Sequence, residues 1–148
     1  MQQIKPENNI ERFVEAQDER WSDYNQALQE ITDGQKRTHW MWYIFPQMRG
    51  LGHSDISYFY GISGMDEALE YFNHPKLGTR LREITGVLLT HKGKSAEQIF
   101  GPIDAVKLRS SMTLFFRASG YMPFAKVLEV FFGGKQCKKT ISILAQER

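Results

Sequence analysis

Asp104, Lys107 and Ser111 place an acid, a base and a hydroxyl at i, i+3 and i+7 of one segment, a spacing that stacks them along one stripe of a helix. On a helical wheel, Ala105, Leu108, Met112, Leu114, Phe115 and Phe116 of the same segment span an apolar arc of about 200° that contains all three. Arg109, Ser110, Thr113 and Arg117 fall on the opposite side, where water is expected. Charged groups on a core-facing arc must be paired or line a cavity. Two uses follow. In a pocket, Lys107 would hold an anionic group, with Asp104 as acid, base or orienting partner. In a structural role, Asp104 and Lys107 would pair with each other, and Asp104 in the first turn would favour the helix dipole.

Further candidates surround this trio. Arg80 projects at the margin of an apolar helix face, either as a snorkelling side chain or as a second anion ligand, since a guanidinium suits carboxylate and phosphate. Trp40 and Trp42 carry N–H donors that need acceptors if buried, and Gln47 follows Pro46 out of the same stretch. An aromatic wall beside Gln47 and a cationic cluster would suit a nucleotide-like ligand. Plain core packing is the competing reading. His74-Pro75 reads first as helix punctuation, with a ligand role as the alternative. Gly50-x-Gly52 reads as a turn rather than a phosphate cradle, and Asp55 would repel an anion there. His39, His53, His74 and His91 fit no metal-ligand spacing, so no metal and no cofactor are expected. Cys137 stands beside Lys138 and Lys139, which would lower a thiol pKa, yet no catalytic partner accompanies it and it reads as an incidental surface cysteine. The run Lys135 to Lys139 reads as a solvated face.

The elements that must position these residues are helical throughout. Asn8 or Asn9 caps the first helix, whose apolar stripe runs on through Trp21, Tyr24, Leu28 and Ile31 to a stop at Gly34. From Thr38 to Phe45 nearly every residue is apolar, which predicts a buried helix ended by Pro46. Ser54, the Ser63-x-x-Asp66 pattern and Ser95 are further starts. Gly101-Pro102 opens the long segment that carries Asp104. No alternating strand, repeat or linker interrupts this pattern. The expected fold is all-α: one compact domain over residues 1–148, with 1–7 a loose tail, of about eight or nine short helices around a central Trp-rich helix.

Composition limits the function classes. With 148 residues, 41% hydrophobic and 24% charged, the chain can bury a core. A net charge of +2 from 19 basic and 17 acidic residues gives no strong nucleic-acid signal. No apolar run approaches the roughly 18 residues of a membrane span. A single cysteine and a polar start, MQQIKPENN, fit a cytoplasmic protein.

The blocks HWMWYIFPQMRGLGHS, EALEYFNHPKLGTRL, IFGPIDAVKLRSSMTLF and VLEVFFGGK resemble the bacterial family known as domain of unknown function 1810, over nearly the whole chain from about Phe13. The resemblance implies an all-helical fold and brings no activity, substrate or catalytic residue with it. Two expectations therefore stand side by side. One is a cleft for a small anionic, nucleotide-like ligand formed by Asp104, Lys107, Ser111, Arg80, Trp40, Trp42, Gln47 and His74, with catalysis left open. The other is a helical interaction module whose buried ion pair is structural.

Overall fold

Helix limits follow local capping. The Asp23 side chain accepts from the Gln26 N–H, Ser54 accepts from Ser57 N–H, and Ser95 with Gln98 completes a reciprocal capping box. Pro102 occupies a first-turn position, and Gly120 and Gly133 close helices in the left-handed conformation. The computed structural model describes residues 9–147, and the expectations for residues 1–7 and Asn8 lie outside them. Among the described residues the elements are α1 (Glu11–Glu19), α2 (Tyr24–Thr32), α3 (Met41–Ile44), α4 (Asp55–Phe59), α5 (Met65–Asn73), α6 (Leu77–Leu88), α7 (Ala96–Phe100), α8 (Pro102–Ser119), α9 (Met122–Phe132) and α10 (Lys138–Ala145). A 3-10 turn, Leu89–His91, extends α6. The molecule is a single compact all-α domain.

Two expectations about the helices change. Trp21 does not continue the stripe of α2. Arg20 turns to extended backbone, Asp23 caps a new helix, and Trp21 is left 83% exposed. The Trp-rich stretch is also not the central helix. Only Met41–Ile44 are helical, because Phe45 before Pro46 leaves the α region. Trp40 is fully buried, whereas Trp42 is half-buried.

The central helix is α8, which packs against α5, α7, α9 and α10. From Ser110 to Phe115 every residue is buried, so its polar side is covered as well as its apolar one. That burial is chemically tolerable because Ser110 and Thr113 hydroxyls reach their own i−4 carbonyls, at 3.2 and 2.8 Å. Ser110 and Thr113, expected on a wet side, lie beneath the segment that leads into α10.

The loop after Pro46 is held by a single parallel bridge, Met48 to Ile62, with hydrogen bonds Arg49 N–H to Ile62 O (2.8 Å) and Ile62 N–H to Gln47 O (2.9 Å). A Cβ at Gly61 would lie 2.7 Å from the Arg49 Cα, so the two segments meet backbone to backbone. The approach of α5 to α6 is closer still. A Cβ at Gly78 would fall inside the Phe72 carbonyl. Gly78→Ala is therefore expected to cost about 3 kcal/mol or more, read as a lowered urea midpoint. An unchanged midpoint would refute this account of the α5–α6 junction.

Candidate functional site

A groove of about 1210 Å³ runs along α8, walled on one side by the loop after Pro46 and on the other by the segment from Gly134 into α10. Its charged lining consists of Lys107, Arg109, Arg117, Lys135, Lys138 and Lys139, and no Asp or Glu is among the described residues that line it. A concave surface of one sign focuses its field and concentrates counter-ions of the opposite sign. Arg109 adds a chemical demand, because its Nε–H is buried without a hydrogen-bond partner among the described residues. Arg117, also in the lining, donates from Nε–H to Gln136 Oε1 at 2.9 Å.

Lys107 is placed by two neighbours. Its Nζ lies 3.8 Å from the centroid of the Trp42 ring and 3.2 Å from Asp104 Oδ1. Asp104 does not depend on Lys107, since its other oxygen is 2.9 Å from Lys36 Nζ. Lys36 in turn donates to Thr38 O at 2.6 Å and sits 5.0 Å from the Trp40 ring centroid. Lys107 has three N–H donors. The carboxylate and the aromatic face engage two of them, which leaves one for a groove occupant.

Cys137 anchors the far wall. It is 8% exposed rather than a surface residue. Its N–H donates to Thr113 Oγ1 at 2.9 Å, and its Sγ lies 3.3 Å from the Ser110 hydroxyl. Burial pushes the thiol pKa up, but hydrogen bonds from Ser110 and from the backbone N–H groups of Lys139 and Thr140 outweigh it and hold the thiol below its usual value.

The residues picked out by spacing separate into two groups. Trp42, Gln47 and Lys107 line the groove together, and Asp104 stands behind Lys107. Trp40, Arg80, Ser111 and His74 do not line it. Trp40 is buried, and its Nε1–H donates to Glu30 Oε1 at 2.9 Å. The Arg80 guanidinium is 2.8 Å from Asp18 and 3.2 Å from Gln17 Oε1, over the Tyr24 ring, so α1 and α2 engage it. Ser111 is fully buried, and its hydroxyl has no hydrogen-bond partner among the described residues. His74 Nδ1 accepts from the Lys76 and Leu77 N–H groups at 3.1 and 3.2 Å, which makes it the hinge between α5 and α6.

Spacing missed Arg109, Arg117 and the Lys135–Lys139 run as groove residues. The available signal was that Arg109 and Arg117 fall on one side of α8 and a cationic run follows one helix later. What hid it was that α10 folds back over that side. Among the described residues, no three His, Cys, Asp or Glu side chains come together in a way that could hold a metal ion. No helix there is long and apolar enough to cross a membrane.

The fold has a close counterpart in the crystal structure of a conserved hypothetical protein from Mycobacterium tuberculosis. The two share 45% sequence identity with a TM-score of 0.89, over 93% of this chain and 97% of that one. No curated protein matches the chain. The family model described as "Protein of unknown function (DUF1810)" matches residues 7–144, and the chain belongs to that family.

Proposed function

We propose that the groove along α8 binds a small anionic molecule, with Lys107 and Arg109 as its central contacts and Trp42 and Gln47 beside them. The observation that carries this reading is the lining: among the described residues, six lysines and arginines and no carboxylate. Cations facing one another across a groove repel. An anion relieves that repulsion. The chemistry supported is recognition of phosphate, sulfate or carboxylate groups.

Thermal denaturation with pyrophosphate, nucleoside phosphates and sugar phosphates tests the reading. A ligand at a hundredfold excess over its Kd stabilises the fold by about 2.7 kcal/mol, a rise in Tm of several degrees. No rise with any of them would overturn the proposal. Lys107→Met separates this reading from a structural ion pair. Asp104 keeps Lys36 at 2.9 Å, so the variant should lose less than about 1 kcal/mol of stability while losing the ligand-induced shift. A loss of about 3 kcal/mol or more would instead mark a stranded buried charge and favour the interaction-module reading.

A further inference from the structure

The groove is not uniform along its length. Cys137 crosses α8 at Ser110 and Thr113. Toward the α8 C-terminus from that crossing lie Arg117 and Lys135. Toward the N-terminus lie Arg109, Lys107, Val106, Ile103 and Pro102, and Trp42, Gln47, Leu51 and Ile141 also line the groove. Ile103 is 73% exposed and Val106 56% exposed, although they stand at i and i+3 on the central helix of the fold. From Ile103 to Ser110 the helix rises about 10 Å, and from Ser110 to Arg117 about 10 Å more. The groove thus has an apolar end at Ile103 and Val106 and a cationic stretch from Lys107 to Arg117.

We infer that the occupant is an amphiphile, with a phosphate-like head on the Lys107–Arg109–Arg117 stretch and an aliphatic chain along Ile103 and Val106. This inference rests on the anion-binding reading above and narrows its ligand class. The apolar end favours a chain over a nucleobase for two reasons. Ile103 and Val106 are aliphatic and exposed there, and the Lys107 ammonium covers a Trp42 face at 3.8 Å from its centroid. The apolar surface lies inside a groove, which fits a free monomeric amphiphile rather than a bilayer surface.

Titration calorimetry with inorganic pyrophosphate and with butyl, hexyl and octyl phosphate, all below micelle-forming concentrations, tests this. Affinity is expected to rise roughly twofold per added methylene, half the gain of full burial, because the groove covers the chain on one side. The Ile103→Ser/Val106→Ser variant, altered at two exposed positions and so expected to fold, should flatten that gradient. If pyrophosphate binds the wild type and chain length has no effect, the amphiphile inference fails and anion binding stands. If none of the four binds, both fail. Co-sedimentation with phosphatidic acid vesicles, without binding of monomeric octyl phosphate, would also overturn it.

Discussion

Glu30→Ala is expected to destabilise the protein by about 4 kcal/mol, more than any change at the groove. Glu30 is fully buried, and its carboxylate gathers five donors. Oε1 accepts from the Arg37 and Thr38 N–H groups and from Trp40 Nε1–H, at 2.7, 3.0 and 2.9 Å. Oε2 accepts from Gln26 Nε2 and the Thr38 hydroxyl, at 2.8 and 2.7 Å. Removing it strands a buried indole N–H and two backbone amides, each costing about 1–3 kcal/mol. Burial alone would raise the carboxyl pKa, but the donors outweigh it and hold it at about 2 against an ordinary 4.5. The folded pKa is the lower one, so this stabilisation is complete above about pH 4.5 and is lost as pH falls toward 2. The amount is about 3 kcal/mol. Asp18, lowered chiefly by its bond to Lys76, contributes in the same direction. Comparing wild type with Glu30→Gln isolates Glu30: urea midpoints should converge between pH 4.5 and 2. Parallel midpoints across that window would show that Glu30 carries no such linkage. The same carboxylate fixes Trp40 and the chain before α3, and so sets where Trp42 presents its ring to Lys107.

What the sequence made legible was local. Apolar spacing, Ser95 with Gln98, and Gly101-Pro102 announce helices whose ends depend on the nearest few residues. The all-α class follows from them. The groove depends on contacts between residues distant in sequence. Lys107 could be singled out because an ammonium on an apolar arc is anomalous within its own helix. Asp104 could be paired with it at i+3, but its second partner, Lys36, is 68 positions away and no spacing points to it. Ser111 and Ser110 show the limit most clearly. The wheel put Ser111 toward a pocket and Ser110 toward water. In the fold both are buried, and Ser110 is the one at the groove, because α10 covers the face that a single-helix wheel assigns to solvent. Arg80 likewise met the guanidinium's need for an anion, but supplied by Asp18 rather than by a ligand.

Arg12 carries the second large expectation: Arg12→Lys should cost about 3–5 kcal/mol even though charge is conserved. Arg12 is 4% exposed, and its guanidinium grips Glu67 through both terminal nitrogens, at 2.7 and 3.1 Å. It also donates to the carbonyls of Phe59, Gly61 and Asn9, at 2.6, 2.9 and 2.8 Å. Five bonds in a planar fork join α1, the end of α4 and α5. A lysine has three donors on a flexible stem and leaves Glu67, itself 6% exposed, short of partners. The consequence reaches the groove. Gly61 and Ile62 follow directly on this lock, and Ile62 bonds to Gln47 and Arg49 across the bridge that shapes the loop wall. Hydrogen exchange reads both effects at once. In Arg12→Lys the Arg49 and Ile62 amides should exchange faster than the global loss of stability accounts for, whereas amides of α8 and α9 should track that global loss. If Arg49 and Ile62 remain as protected as the core helices, the Arg12 lock holds the fold together without shaping the groove.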